Sequence, residues 1–84
     1  MITENFKMFT WVGGRCTDIN TAMCIIVEND DGVEEVRELL KNNGEDYHSV
    51  YCPGIYWWDE ELNNGYRRFA ESEIQMFAKV FAAL

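Results

Sequence analysis

The run "TAMCIIVENDDGVEEVRELLKNNG" (residues 21–44) decides the fold, because it carries a complete transition from strand to helix. Its first part, residues 21–28, is apolar at both alternating positions, as in a strand at the centre of a sheet or one packed by helices. Its second part carries apolar residues at helical spacing between an acidic start and an Asn-Gly end. The run therefore predicts a central strand followed by a helix.

The predicted helix has a start signal, a stop signal and one apolar stripe. Asp31 followed by Glu34 forms a cap-like start, and acids fill the first turn, where the helix dipole favours negative charge. Lys41 falls in the last turn, and Asn43-Gly44 predicts the C-cap. The stripe consists of Val33, Val36, Leu39 and Leu40.

Shorter runs on either side of residues 21–44 predict further strands. "KMFTWV" (residues 7–12) is aromatic and β-branched, and ends at two glycines. "YHSVYC" (residues 47–52) predicts a strand that ends in a tight turn at Pro53-Gly54, with "IYWW" as its candidate hairpin partner. "GYRRFA" (residues 65–70) follows an Asn-Gly turn signal, and it predicts either a short strand or a direct entry into the last helix.

The last segment predicts a second helix. It begins at Ser72, and Gln75 completes a capping box. Its continuous apolar stripe consists of Ile74, Phe77, Val80, Phe81 and Leu84. We therefore expect the C-terminus to be docked on the rest of the domain.

Together these segments predict an α+β fold with the order β-β-α-β-(β)-α, in which two helices pack on a mostly antiparallel sheet of three or four strands. Residues 1–84 have room for one compact domain. The strand-helix-strand unit over residues 21–52 makes a right-handed crossover if its two strands are parallel. The residues expected in the core are Met23, Ile25, Val36, Leu39, Phe77 and Phe81.

The charge balance restricts the class of partner. Fifteen acidic residues against seven basic ones give a net charge of −8. A nucleic-acid-binding protein needs a basic face to displace counterions from phosphates, so direct binding of nucleic acid is disfavoured. A protein with a basic surface is the favoured partner, because opposite charge speeds association. The alternative is that the acidity serves solubility alone.

Cysteine content and apolar runs predict a cytoplasmic protein. Cys16, Cys24 and Cys52 are an odd number with neither disulfide-framework nor zinc-site spacing, which favours a reducing compartment. The N-terminus lacks the features of a signal peptide, and the longest apolar run, "AMCIIV", is too short to cross a bilayer. We expect no membrane partner, and a location in the host cytoplasm if the protein is phage-encoded.

Catalytic, metal-binding and cofactor-binding signatures are weak in this sequence. On the predicted strand 47–52, His48 and Cys52 share a face but lie about 13 Å apart, too far for a nucleophile and its base. "ENDDGVEE" (residues 28–35) lacks the ligand spacing of an EF-hand loop, and "WVGGRCTD" (residues 11–18) lacks that of a phosphate loop. We predict no catalytic residue, no metal and no cofactor, and a small cysteine/histidine enzyme is the least favoured function.

The aromatic stretch "YCPGIYWWDEELNNGY" (residues 51–66) points to a protein interface. It sets five rings around three consecutive acids. Adjacent strand residues point to opposite faces, so we expect at least one of Tyr56, Trp57 and Trp58 to face solvent. The alternative is that all the rings belong to the core. The acids beside the exposed rings repel phosphate, which disfavours the stacking of nucleic-acid bases. Such rings suit a protein interface, where Trp and Tyr are buried anchors and charges form the rim.

Two functional hypotheses follow. In the first, the chain is a small acidic inhibitor that occupies a basic, nucleic-acid-facing surface of a target protein, with its carboxylates in place of phosphates. Its size and charge are similar to those of small acidic phage inhibitors of CRISPR or restriction effectors, a likeness that no motif carries. The second is a small regulatory or structural subunit that homodimerises through its aromatic face. The predicted partner-binding residues are Glu34, Glu35, Glu38, Tyr56, Trp57, Trp58, Asp59, Glu60 and Glu61.

Overall fold

Four antiparallel strands and one α-helix form the part of the chain that is described by a computed structural model, residues 4–10, 14–60 and 65–69. The elements are β1 (Phe6–Phe9), β2 (Cys24–Val27), α1 (Asp30–Asn42), β3 (Gly54–Asp59) and β4 (Gly65–Arg68), with a 3-10 turn at Ile19–Thr21. The strands lie in the order β1-β2-β3-β4, and every neighbouring pair is antiparallel. The predicted α+β class is confirmed, as is the short strand after the Asn-Gly signal.

The third strand lies later in the chain than the sequence predicts. Residues 47–52 form turns, and Gly54 is the first residue of β3 rather than part of a tight turn. The backbone of the earlier segment is held by local bonds, because Asp46 Oδ1 accepts from the His48 amide (2.9 Å) and the Cys52 carbonyl accepts from the Tyr56 hydroxyl (2.5 Å). The strand prediction for residues 47–52 is therefore wrong. Since β2 and β3 are antiparallel, the parallel crossover does not occur either.

The predicted central position of the apolar run is confirmed, because β2 pairs with both β1 and β3. The register gives the sheet two faces, which alternate along each strand. We call the side that carries α1 the helix face; its residues include Phe6, Met8, Ile25, Val27, Tyr56, Trp58 and Tyr66. The opposite side is the far face; its residues include Lys7, Phe9, Cys24, Ile26, Ile55, Trp57 and Arg67.

The core lies between α1 and the helix face. Val33, Val36 and Leu40 are buried there against the strands, which confirms the predicted burial of Val36 and, on β2, of Ile25. Leu39 and Met23 are only partly buried, so their assignment to the fully buried core is wrong. At 3.6 residues per turn, Leu39 lies at the edge of the stripe that faces the sheet. Phe77, Phe81 and the predicted helix from Ser72 lie outside the described residues.

Helix α1 begins two residues earlier than its acidic signal suggests. The N-cap is Asn29 rather than Asp31, because Asn29 Oδ1 accepts from the Gly32 amide at 2.9 Å. The side-chain nitrogen Nδ2 of Asn29 also donates to Asn5 Oδ1 at 2.9 Å, which ties the helix start to the residues before β1. At the other end, Asn43 is the C-cap and Gly44 adopts a φ of 75°, so the predicted helix end is confirmed.

Gly32 allows the start of α1 to pack closely against the chain that enters β1. A Cβ atom at this position would overlap the Asn5 carbonyl oxygen and lie 2.9 Å from its carbon. We therefore expect Gly32→Ala to destabilise the protein by about 1–3 kcal/mol, in spite of the better helix propensity of alanine. Urea unfolding followed by circular dichroism measures the change.

Gly54→Ala provides the matched control. Its Cβ atom would lie 2.7 Å from Arg68 Nε, which belongs to a side chain that can move away. We expect a smaller loss than for Gly32→Ala. Equal stabilities of the two variants would contradict the close backbone approach at Gly32.

Candidate functional site

Tyr56 belongs to the core and not to a binding surface. It lies on the helix face in the middle of β3, paired with Ile25, and its side chain is 0% exposed. Its hydroxyl donates to the Cys52 carbonyl (2.5 Å) and accepts from the Cys52 amide (3.3 Å). The ring is thus packed in the core, and the hydroxyl group has its hydrogen-bond partners inside the protein. The prediction that Tyr56 contacts a partner is therefore corrected.

Trp57 and Trp58 point to opposite faces of the sheet, and both are partly buried. Trp57 lies on the far face with its ring centroid 5.6 Å from that of Phe69. Trp58 lies on the helix face, where its ring meets that of Tyr66 edge-on, with a centroid separation of 5.1 Å and an interplanar angle of 75°. Neither indole is exposed as a whole, but each keeps part of its surface accessible.

The acids that follow the tryptophans differ from one another. Asp59 is partly buried and paired with Arg67, whose Nε lies 3.0 Å from Asp59 Oδ2, so its charge is partly neutralised. Glu60 is exposed. Glu61 lies outside the described residues. Of this acidic group, Glu60 is therefore the described member that presents its charge to solvent.

Glu35 on α1 does not lie beside Glu60. Glu34 and Glu38 are exposed, whereas Glu35 is partly buried and accepts from Asn5 Nδ2 at 3.1 Å. Asn5 precedes β1 at the end of the sheet where α1 begins, and Glu60 follows the last residue of β3 at the opposite end. A strand of six residues spans about 20 Å. Glu35 and Glu60, both predicted to bind a partner, are therefore separated by the length of β3.

A cavity of about 200 Å³ lies at the end of the sheet where β3 ends, and we call it the Trp58 cavity. Its lining combines two aromatic rings with two carboxylates, at the edge of the core. The described lining residues are Ile19, Asn20, Ala22, Met23, Glu45, Trp58, Glu60 and Tyr66. The cavity thus gathers Trp58 and Glu60, which were predicted to bind a partner, with Glu45 and Tyr66, which were not.

Hydrogen bonds to backbone atoms fix the walls of the Trp58 cavity. The Trp58 amide donates to the Met23 carbonyl at 3.0 Å, and the Tyr66 hydroxyl donates to the Ala22 carbonyl. The 3-10 turn beside them is capped by Asp18, whose Oδ1 accepts from the Asn20 amide at 3.0 Å. These bonds join β3 and β4 to the segment that enters β2. The rings of Trp58 and Tyr66 are consequently held in place before any ligand arrives.

Glu45 carries a partly buried carboxylate that lines the same cavity as these rings. It follows the end of α1, and its amide donates to the Leu40 carbonyl at 2.9 Å. Its Oε2 atom is buried and makes no hydrogen bond with the described residues. Burial raises the pKa of Glu45, while a side-chain hydrogen bond with Asn43 opposes the shift. The sequence gives no signal for this residue, because its position depends on how the chain returns after α1.

Glu45 makes stability depend on pH in a defined direction. A carboxyl whose pKa is raised by folding binds its proton more tightly in the folded protein than in the unfolded chain. Its contribution to stability is therefore full below the unfolded pKa of about 4.3 and is lost as the pH rises through the folded pKa. We expect Glu45→Gln to be more stable than the wild type at pH 7, with the advantage vanishing below about pH 4.

Thermal unfolding at a series of pH values measures this difference. Glu34→Gln is the control, because Glu34 is exposed on α1 and also loses one carboxylate. The same pH dependence in both variants would contradict a special role of the buried carboxylate.

Among the described residues, His48 makes no hydrogen bond with a cysteine thiol. Cys16, Cys24 and Cys52 are free thiols, and burial raises the pKa of Cys24 to about 12, which keeps this thiol protonated. His48 is exposed, in a turn, with its ring centroid 4.3 Å from that of Tyr47. Within residues 4–10, 14–60 and 65–69, no group of three or more His, Cys, Asp or Glu side chains is arranged to hold a metal ion.

The partly accessible Trp58 ring and the carboxylates of Glu45 and Glu60 give the Trp58 cavity a defined chemical preference, while the Tyr66 ring is buried against Trp58. Aromatic faces attract cations, and carboxylates accept charge-assisted hydrogen bonds from them. The site therefore suits a positively charged group.

None of the helices in the described residues is both long and apolar enough to cross a bilayer. No protein-family model, no curated protein and no solved structure shows significant similarity to this chain.

Proposed function

We propose that this protein is a small acidic inhibitor that binds a target protein on a basic surface which otherwise faces nucleic acid. The observation that carries the proposal is the Trp58 cavity, where partly exposed aromatic surface lies beside carboxylates without a described cationic partner. Aromatic anchors in a recess, with charged residues around them, are the usual centre of a protein interface.

The distribution of charge supports a basic partner. The net charge is −8, and the ion pairs between described residues, Lys7–Glu28 and Arg67–Asp59, involve two of the fifteen acids. Glu34 and Glu38 are exposed one helical turn apart on α1. Carboxylates that remain charged at the surface attract a positive surface and stand in for phosphates there. The same charge disfavours direct contact with nucleic acid.

This function is of the anti-CRISPR or anti-restriction type, by analogy of size and charge. The target is then a nucleic-acid-processing complex, and the inhibitor acts in the cytoplasm, that of the host cell if a phage encodes it. Neither catalysis nor a cofactor is required, because occupying the surface is enough to exclude the nucleic acid.

Affinity capture tests the proposal. The tagged protein is incubated with lysate rich in nucleic-acid-processing complexes at low and at high salt, and the captured proteins are identified by mass spectrometry. We expect a target that is retained at low salt, is released at high salt and is displaced by its own nucleic acid. As a control, the double variant Glu34→Lys/Glu38→Lys should capture the target more slowly.

Three outcomes would overturn the proposed function. The first is a target that binds its nucleic acid and this protein at the same time. The second is a gel shift of duplex DNA or RNA by the purified protein at micromolar concentration and physiological salt. The third is a stable homodimer that captures no target, which would favour the subunit hypothesis.

A further inference from the structure

We propose that the Trp58 cavity binds the guanidinium group of an arginine side chain supplied by the target protein. The identity of the supplier depends on the proposed function, whereas the binding of a guanidinium group by the cavity does not.

The size of the cavity suits one side-chain head group. Its volume of about 200 Å³ exceeds the roughly 30 Å³ that a water molecule occupies in the liquid. It is smaller than the roughly 300–1,000 Å³ of pockets that enclose drug-sized ligands. A planar guanidinium with part of its aliphatic stem therefore fits, and a nucleotide or another large cofactor does not.

The aromatic wall suits a planar cation. The Trp58 ring keeps part of its surface accessible, and the edge-on contact with Tyr66 holds its orientation. Tyr66 itself is buried, its hydroxyl donates to the Ala22 carbonyl, and burial raises its pKa, so it supports the Trp58 ring as a neutral side chain and does not contact the cation. Guanidinium groups stack on aromatic faces, and tryptophan is the strongest partner for a cation.

The two carboxylates provide the hydrogen-bond acceptors. Glu60 is exposed and Glu45 is partly buried, and both line the cavity. Neither forms an ion pair with a described residue, and the buried Glu45 Oε2 lacks a hydrogen-bond partner there. A guanidinium carries five N–H donors in a planar fork, which two carboxylates can share. An anion in the same place would be repelled by both.

Titration with small probes tests this site in the intact protein. The probe is N-acetyl-arginine methylamide, and the control is the citrulline counterpart, which has nearly the same shape without the charge. The signal is the Trp58 indole N–H resonance in a ¹H–¹⁵N spectrum, assigned by its loss in Trp58→Phe. We expect a saturable shift at millimolar arginine probe and none with the citrulline probe. The lysine counterpart should bind several-fold more weakly, because an ammonium is a point charge.

Variants connect the shift to the cavity. The double variant Glu45→Gln/Glu60→Gln is expected to weaken arginine-probe binding at least tenfold. Glu34→Gln removes a carboxylate from α1 and should leave binding unchanged. If the double variant is unfolded by circular dichroism, the two single variants replace it, each with a smaller loss.

The result also separates this site from the proposed function. An absent shift, an equal shift with citrulline, or unchanged binding in the Glu45/Glu60 variants would overturn the guanidinium site, even if a basic target is captured. A specific arginine-probe shift without any captured target would overturn the proposed function and leave the site in place.

Discussion

Leu40→Ala is expected to destabilise the protein by about 2–5 kcal/mol, which is as much as a core of this size supplies in total. Leu40 is 0% exposed and lies with Val36 against the helix face of the sheet. Its removal leaves a cavity that neighbouring side chains fill only in part, so both burial and packing are lost. Most molecules of the variant should be unfolded at 37 °C, as seen by the loss of cooperative unfolding in circular dichroism.

The neighbouring residue gives the control. Leu39→Ala removes the same atoms from the same helix at a partly buried position. We expect it to cost clearly less, about 1 kcal/mol, because less apolar surface returns to water. If Leu39→Ala were the more damaging variant, α1 would face the sheet with a different side from the one described.

Trp58→Ala is expected to weaken binding of the target protein by about 2–4 kcal/mol, through faster dissociation. This corresponds to roughly 30- to 1,000-fold in the dissociation constant. The reason is that the indole is the accessible aromatic wall of the Trp58 cavity, whereas the neighbouring charges steer the approach. Surface plasmon resonance against the captured target measures both rates.

Trp57→Ala is the matched control, because Trp57 is the adjacent residue but lies on the far face beside Phe69. It should change dissociation little. Glu34→Lys, on α1 and outside the cavity lining, should mainly slow association and reduce its dependence on salt. Trp58 also packs against the core, so each variant is first checked for folding, and Trp58→Phe is used if the alanine variant unfolds. A larger loss for Trp57→Ala would move the binding surface to the far face.

The elements with a dense local signal were predictable from sequence. The span of α1 follows from its apolar spacing and its Asn43-Gly44 end, and the inner position of β2 follows from its apolar residues on both faces. Residues 47–52 carry aromatic and β-branched residues in the same pattern as β3, so the sequence predicts a strand there that the structure does not contain. The hydrogen bonds of Asp46 and Tyr56 decide between the two segments, and composition does not reveal them.

Of the four aromatic and acidic residues that line the candidate site, two were predictable from the sequence. Trp58 and Glu60 stand out in sequence as a ring beside an acid. Glu45 does not, because its carboxylate reaches the cavity only through the return of the chain after α1. Tyr56 was assigned to the surface, since neighbouring aromatic residues do not reveal which of them points toward a helix. Its pairing with Ile25 fixes that choice, and pairing is a property of the whole sheet.

The order of the strands in the sheet has a consequence for the rate of folding. Each strand pairs with its neighbour in the chain, and β3 and β4 are separated by a short connection, which allows a hairpin to form within about 1–10 μs. Pairing β2 with β3 must instead close the longest loop, which contains α1, at the greatest loss of chain entropy. Stopped-flow kinetics should therefore show that Ile25→Val, at the centre of that pairing, slows folding more than it accelerates unfolding.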